Sequence, residues 1–185
     1  MIKLPESLDV FYHNKLVGTL SMTPGNHKCA FEYSQTWLAE GFSISPLELP
    51  LKSGLLLPKT DYFYGNFGIF EDSMPDGYGN YLLNRILQKY GTSLIEMNPV
   101  ERLSFVGEKG MGALTYVPES TLNTVQDTAT LDQMQQDALD VLSEKDFSST
   151  EMLYINSGNS GGCRPKCLWK DEDGSWLVKF RHTYD

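Results

Sequence analysis

The stretch from Asn156 to Lys179 constrains the fold most, because a glycine- and serine-rich segment leads directly into two short apolar runs. The segment from Asn156 to Lys166 reads NSGNSGGCRPK, and the runs are separated by Asp171-Glu172-Asp173-Gly174. Asp and Gly favour tight turns, so the pattern predicts a β-hairpin entered through a loop. Glycines let backbone N–H groups approach an anion without an intervening Cβ, which makes this loop a candidate phosphate-binding site.

A lysine on the return strand fits the same chemistry. Lys179 lies between Val178 and Phe180, as the strand lysine of a kinase does, and a lysine can reach phosphate oxygens. The window from Asn156 to Arg181 holds five basic residues against three acidic ones, whereas the whole chain has 15 against 24. The segment is not a Walker A loop, which requires Gly-Lys-Ser/Thr opening a helix. The alternative interpretation is an ordinary hairpin with a surface lysine.

Composition excludes several classes of protein. The chain has 185 residues, 41% hydrophobic and 21% charged, which is typical of a globular protein of one domain or two small ones. A net charge of −9 argues against binding to a nucleic-acid backbone. The cysteines and histidines do not have zinc-ligand spacing, so structural zinc is not expected. An odd count of three cysteines without a C-x-x-C pair, an N-terminus without a signal-like pattern, and no apolar run of membrane-spanning length predict a cytoplasmic protein without membrane insertion.

The N-terminal part is predicted to be a small antiparallel sheet with one covered face. The predicted strands are 8–12, 16–22 and 30–33, with a helical turn near Trp37 and a strand or extended segment over 46–51. Aromatic residues crowd 62–70, and core packing is the favoured interpretation. The carboxylates of Glu71, Asp72 and Asp76 are interpreted as a turn leading into a helix rather than as a metal or acid–base site.

Helical periodicity and capping residues predict the remaining elements. Helices are expected over 78–90, after Asn98, over 131–142 with Thr130 as cap, and over 151–155. The glycines at 107, 110 and 112 precede a strand over 113–117, so a tight turn is expected there rather than an anion site. The fold class is therefore α+β: a small antiparallel sheet subdomain with helices (1–118), a linker (119–130), and a helix and β-hairpin segment (131–185).

Several motifs resemble the HipA family of serine/threonine kinase toxins of bacterial type II toxin–antitoxin systems, and the resemblance covers nearly the whole chain. The N-terminal motifs are Val17-Gly18-Thr19-Leu20, 67–70, 74–79 with the 82–85 helix, 106–114 and 116–119. The C-terminal motifs are Gly161-Gly162-Cys163-Arg164-Pro165-Lys166 and Trp176-Leu177-Val178-Lys179-Phe180. The resemblance implies an N-terminal subdomain over 1–118 and part of a kinase N-lobe over 131–185.

The resemblance also implies the function of individual residues. The loop from Gly161 to Lys166 (Gly161, Gly162, Cys163, Arg164, Pro165, Lys166) would cover the phosphates of ATP, and Lys179 would contact ATP. A loop serine is the family's autophosphorylation site. Asn159 stands at the matching position here, which leaves Ser157 and Ser160 as candidate regulatory phosphosites. ATP and Mg²⁺ are implied for the complete kinase, and no metal ligand is assigned in this chain.

Phosphoryl transfer requires an aspartate base and Mg²⁺ ligands, which in kinases lie far downstream of the strand lysine. The sequence ends six residues beyond Lys179, so we expect this polypeptide alone to be inactive. Three hypotheses follow: the N-terminal portion of a HipA-like kinase, a stand-alone module that binds a separate kinase chain or antitoxin, or an unrelated small-molecule binder. Expected partners are a HipB-like helix-turn-helix antitoxin, which would supply the DNA contacts, a C-terminal kinase portion, or a second copy in a homodimer.

Overall fold

The computed structural model describes residues 3–25, 27–120, 129–145, 148–157 and 159–181. Within these ranges the chain is an α+β protein, which confirms the predicted fold class. The strands are β1 (Ser7–Tyr12), β2 (Lys15–Met22), β3 (Cys29–Tyr33), β4 (Leu114–Val117), β5 (Lys166–Lys170) and β6 (Ser175–Lys179). The helices are α1 (Gln35–Glu40), α2 (Gly68–Glu71), α3 (Gly77–Lys89), α4 (Pro99–Ser104), α5 (Leu131–Leu142) and α6 (Thr150–Ser157), and a 3₁₀ helix covers Leu94–Glu96.

The chain forms two compact units, and neither is continuous in sequence. The first contains the described parts of Met1–Met74 and Ile95–Thr121, and the second those of Pro75–Leu94 and Leu122–Asp185. α3 therefore belongs with the C-terminal elements, although it lies within the predicted first segment. The sequence-based boundaries at 118 and 131 remain a prediction, and residues 121–128 of the predicted linker lie outside the described residues.

The first unit is built on an antiparallel sheet with strand order β3-β2-β1-β4. β1 and β2 form a hairpin whose turn residues, His13 and Asn14, have φ angles of 45° and 62°. Two positive φ angles are the mark of a type I′ turn, which matches the twist of the flanking strands. On β2, a Cβ at Gly18 would lie 2.2 Å from the Glu32 carbonyl oxygen, so the approach of β3 explains the glycine in this motif.

The core of the first unit lies on one face of this sheet. Leu8 and Val10 alternate with exposed neighbours on β1, as predicted for a strand with one covered face. α4 packs against β1, β2 and β4, and it begins with a capping box in which Asn98 and Glu101 satisfy each other's backbone N–H groups. The core also includes Phe31, Phe67, Phe70, Val100, Leu103 and Tyr116.

Two sequence predictions for the first unit are wrong in part. The segment expected to be extended over 46–51 is a turn, bounded by an isolated bridge between Ser45 and Leu49, and Leu47 is 86% exposed. Prolines at 46 and 50 supply no N–H for a ladder, which explains why alternation did not produce a strand. The aromatic cluster is only partly core, because Tyr62 and Tyr64 are 83% and 92% exposed in a turn.

The second unit consists of α3, α5, α6 and the antiparallel β5–β6 hairpin. α3 packs on α6, and α6 packs on both α5 and β5. The predicted apolar stripe of α3 comprised Leu82, Leu83, Ile86, Leu87 and Tyr90, and the first four are buried. Tyr90 is the C-cap residue and is 37% exposed, so the stripe ends one turn earlier than predicted. At the surface, Arg85 pairs with Glu144, and Lys89 Nζ lies 3.0 Å from a Glu151 oxygen. Thr130 caps α5 as predicted, by accepting a hydrogen bond from the Gln133 N–H.

Candidate functional site

The glycine-rich loop connects the end of α6 to the start of β5, within the second unit. Gly162 has a φ of +97°, a conformation that side-chain-bearing residues rarely adopt, so the loop needs glycine at this position. Gly161, Gly162, Cys163 and Arg164 are exposed, whereas Pro165 and Lys166 are buried. The loop is closed at its far end by hydrogen bonds from the Phe180 N–H to the Pro165 carbonyl and from Arg164 Nε to the Phe180 carbonyl.

Lys166 is the buried cation of this loop. Its side chain is 1% exposed, and Nζ donates hydrogen bonds to the carbonyl oxygens of Gly161 at 2.7 Å and Gly162 at 2.9 Å. Burial lowers the pKa of Lys166, and the nearby charge of Lys179 lowers it further, while Asp76 acts in the opposite direction. None of the ion pairs among the described residues includes Lys166. The ammonium is thus held by neutral carbonyl groups, without a carboxylate in direct contact.

The bonds to Lys166 determine where the loop amides point. In a trans peptide the N–H is directed opposite to the carbonyl of the same peptide group. Because Lys166 binds the carbonyls of Gly161 and Gly162, the N–H groups of Gly162 and Cys163 point away from the ammonium. Asp76 Oδ1 accepts the Gly162 N–H at 2.6 Å. The Cys163 N–H makes no hydrogen bond to any part of the chain that the structure describes, so it is available to an anion.

The sequence did not indicate that Asp76 belongs to the site: it was interpreted as a turn residue before a helix and as part of the 74–79 motif of the family resemblance. It is the residue before α3, yet its carboxylate does not cap that helix and instead binds the loop. The following residue, Gly77, contacts the same place: a Cβ there would lie 2.6 Å from the Gly162 carbonyl oxygen. The two partners are 86 positions apart in sequence, so no periodicity or local spacing could have indicated the contact.

The remaining predicted residues are placed as follows. Lys179 is exposed on β6, and its Cα pairs with that of Lys166 across the hairpin. The candidate phosphosites are buried: Ser157 is 1% exposed, with Oγ donating to the Tyr154 carbonyl, and Ser160 is 5% exposed, with Oγ donating to the Ser157 carbonyl. A kinase could therefore reach either hydroxyl only after the loop rearranges.

In the acidic turn of the hairpin, the Asp171 carboxylate makes hydrogen bonds within the turn itself. Asp171 Oδ1 accepts hydrogen bonds from the N–H groups of Asp173 and Gly174 and from Trp176 Nε1. The bond from Trp176, followed by those from the backbone, lowers the pKa of the Asp171 carboxyl. Throughout the described ranges, no group of three or more His, Cys, Asp or Glu residues is arranged to hold a metal ion.

A cavity of about 470 Å³ lies in the first unit, away from the predicted ATP-binding residues in sequence. Its walls include Tyr12, His13, Trp37 and Phe42, with Lys15 and Glu40 also contributing. The Trp37 indole N–H is already bonded to the Phe42 carbonyl at 2.8 Å. None of the residues assigned to ATP contributes to this cavity. None of the described helices is long and apolar enough to span a bilayer.

Comparisons with known proteins agree with the resemblance. The HipA N-terminal domain model matches residues 8–117. Among solved structures, the chain is similar to HipA in the Shewanella oneidensis MR-1 toxin–antitoxin complex of HipA, HipB and operator DNA, with a TM-score of 0.54 and 18% identity. The similarity covers 95% of this chain and 38% of that chain, so this sequence spans less than half of the relative's length. No curated protein matches. Since the family model covers more than half of the sequence, the chain belongs to the HipA family and corresponds to its N-terminal portion.

Proposed function

We propose that this chain is the nucleotide-binding N-terminal portion of a HipA-like serine/threonine protein kinase. In this proposal Gly161, Gly162, Cys163, Arg164, Pro165 and Lys166 cover the phosphates of ATP, and Lys179 contacts the nucleotide from the paired strand. The observation that carries the proposal is Lys166, a buried ammonium whose hydrogen-bond partners are carbonyls of the glycine-rich loop. A buried charge without a paired countercharge is costly, and a bound phosphate would offset that cost.

The loop geometry supports an anion rather than a neutral ligand. Lys166 turns the carbonyls of Gly161 and Gly162 inward, which leaves the Cys163 N–H directed outward and without a partner in the described chain. Backbone N–H groups next to a left-handed glycine form the kind of concavity that binds phosphate oxygens. Lys179 adds a second positive charge close enough to lower the pKa of Lys166. The Cys163 N–H and the ammonium groups of Lys166 and Lys179 would therefore all favour a negatively charged ligand.

In this proposal the catalytic residues are not among residues 1–185. An aspartate base and the Mg²⁺ ligands of a kinase would come from residues outside 1–185, in the same or another polypeptide. The sequence spans 38% of the HipA chain to which it is similar, which is consistent with that division. Residues 1–185 alone would then bind ATP weakly and transfer no phosphate, because the opposite wall of the cleft is missing.

The expected result for isotope-labelled residues 1–185 is a weak ATP response, with a dissociation constant on the order of 1 mM. Amide shifts should move at 161–164 and 166, and Lys179→Ala should reduce the response. The control Lys170→Ala, which removes an exposed charge from the adjacent strand, should not. Labelling with γ-³²P ATP should yield no phosphorylated product. An unresponsive loop at ATP concentrations about tenfold higher would contradict phosphate binding, and unaided phosphate transfer would contradict the division of catalysis.

A second candidate function is a stand-alone module that binds a separate kinase chain or a HipB-like helix-turn-helix antitoxin. The observation favouring it is the apolar surface of the first unit, where Leu47, Leu55, Tyr62 and Tyr64 are between 61% and 92% exposed. Large exposed apolar side chains concentrated in one segment are typical of interaction surfaces. This surface would serve the same partners in a complete kinase, and self-association into a homodimer would use the same side chains.

Replacing Leu47 and Tyr64 together by serine is expected to weaken partner binding at least about tenfold, since truncating two exposed anchors removes over 1 kcal/mol each. Fold stability should stay unchanged because neither side chain is buried. Titration calorimetry against a kinase C-lobe chain and against an antitoxin measures the effect, and light scattering reports the homodimer. The matched control is Ile95→Ser, another exposed apolar residue of the first unit. An equal loss of partner binding in Ile95→Ser would contradict the assignment of Leu47 and Tyr64 to the binding surface.

A further inference from the structure

The start of α3 holds the glycine-rich loop through two hydrogen bonds and one close backbone approach. The Asp76 carboxylate accepts the Gly162 N–H at 2.6 Å, and the Tyr78 N–H donates to the Gly162 carbonyl at 3.1 Å. Gly77 lies between them, where a Cβ would meet the Gly162 carbonyl carbon and oxygen at 2.7 and 2.6 Å. Residues Asp76, Gly77 and Tyr78, called the loop anchor below, therefore bind both polar groups of one loop residue.

We propose that the loop anchor positions the glycine-rich loop for phosphate binding, with Asp76 as the positioning residue. The sequence analysis interpreted Asp76 as a turn residue and included 74–79 among the motifs of the family resemblance, and it assigned none of these residues to contact ATP. The part of this inference that concerns phosphate rests on the proposed function above. The part that concerns loop order is independent of it, because the three contacts exist without a ligand.

The contacts explain why Gly162 keeps one orientation. Lys166 binds the Gly161 and Gly162 carbonyls from one side, and Asp76 binds the Gly162 N–H from the other. Lys166 and Asp76 thus hold the peptide group between Gly161 and Gly162 from its two sides. The carbonyl of the next peptide group is held by Lys166 and the Tyr78 N–H, so the Cys163 N–H stays directed outward. Without Asp76, the Gly162 peptide loses the acceptor on one side, and a glycine has little intrinsic preference to keep it in place.

Charge supports the same arrangement. Asp76 opposes the burial-induced lowering of the Lys166 pKa, so the two groups stabilise each other across the loop backbone. A Cβ at Gly161 would lie 3.4 Å from Asp76 Oδ2, which places the carboxylate against two consecutive glycines. That distance is an ordinary van der Waals contact, so the carboxylate lies directly against Gly161, and Gly162 is required by its φ of +97°.

The test measures amide hydrogen exchange by NMR in ligand-free residues 1–185, followed by titration with ATP. Asp76→Ala is expected to accelerate exchange at Gly162 about three- to tenfold, the usual effect of losing one hydrogen bond, and to weaken the ATP response by a similar factor. Asp76→Asn keeps an acceptor oxygen and should restore most of both. The control is Asp173→Ala, which removes an exposed aspartate whose side chain does not contact the loop.

Gly77→Ala provides a second variant that does not alter charge. Its Cβ would collide with the Gly162 carbonyl and its φ is +34°, so faster exchange at Gly162 and Tyr78 is expected. Gly91→Ala is the matched control at the other end of α3, with a φ of +76° and nothing within 4 Å of the added Cβ. Circular dichroism confirms that each variant is folded.

The outcomes separate this inference from the proposed function. Unchanged Gly162 exchange in Asp76→Ala overturns the anchor. A stronger ATP response in Asp76→Asn also overturns it as a positioning device, because the carboxylate would then compete with phosphate. If exchange accelerates as expected but the unmodified chain never responds to ATP, the anchor stands as an ordering contact and the proposed function fails.

Discussion

Lys166→Met is expected to weaken the ATP response of the glycine-rich loop about 30- to 100-fold while changing the stability of the second unit little. An ammonium about 6–8 Å from a phosphate charge contributes about 2–3 kcal/mol at an effective dielectric constant of 20, which corresponds to that factor. Methionine has similar length and no charge. Because the side chain is 1% exposed, the substitution acts inside the loop rather than on its surface.

Stability is expected to move little because two effects oppose each other. The variant loses the hydrogen bonds from Nζ to the Gly161 and Gly162 carbonyls, each worth about 1.5 kcal/mol or more for a charged donor. It also removes a buried ammonium without a direct ion pair, whose desolvation costs several kcal/mol. The lowered pKa of Lys166 shows that burial already disfavours the charged form in the folded state. We therefore expect a change within about 2 kcal/mol.

The control is Lys170→Met, which removes an exposed lysine from the same strand. It separates the specific contribution of Lys166 from a general reduction of positive charge. The measurements are the amide-shift titration with ATP and urea denaturation followed by Trp169 and Trp176 fluorescence. Equal responses of the two variants to ATP would contradict the role assigned to the buried lysine.

Sequence patterns predicted the parts of this fold that local rules determine. The α3 stripe, the Thr130 cap and the β5–β6 hairpin were predicted because each depends on residues within one element. The predictions for 46–51 and for the aromatic cluster over 62–70 were wrong in part. There, apolar alternation or aromatic content suggested burial, while proline and turn geometry kept Leu47 and Tyr64 at the surface.

Only the part of the candidate site that is continuous in sequence could be predicted. The run from Gly161 to Lys166 is visible as a motif, but its organisation depends on Asp76, which is distant in sequence. Likewise, the strand pattern drew attention to Lys179, whereas the buried position of Lys166 follows from packing that no spacing rule encodes. Long-range polar contacts made by a single residue leave no periodic signal in the sequence. The loop anchor is therefore visible only in the three-dimensional structure.

Raising the pH from 9 to 10 is expected to destabilise the first unit by about 1 kcal/mol through a single thiol, Cys29. Cys29 is fully buried, and burial, followed by the charge of Glu71, raises its pKa from 9.0 to about 12. Between these values the unfolded chain releases the thiol proton and the folded chain retains it. The folded state then binds more protons, so its stability falls as the pH rises through this window.

Cys29→Ala should remove that slope. At pH 8 the variant is expected to be less stable than the unmodified chain by about 1 kcal/mol, because the smaller side chain leaves part of the core unfilled. Near pH 10 the difference should disappear, since only the unmodified chain has lost stability by ionisation of its unfolded thiol. Cys163→Ala, which removes an exposed thiol, is the control and should keep the full slope.

The measurement is urea denaturation under reducing conditions, followed by Trp37 fluorescence in a Trp169→Phe, Trp176→Phe background, so that only the first unit is observed. Tyr33 and Tyr116 also lie in the first unit, and burial raises the pKa of each from 10.0, so each adds a smaller loss of stability towards pH 10. Both tyrosines are present in Cys29→Ala, so the difference between the two proteins isolates the thiol. An equal slope in Cys29→Ala would show that Cys29 is accessible to solvent in the folded chain. The packing of β3 against the core would then be looser than its complete burial indicates, because a desolvated thiol cannot ionise at its ordinary pKa.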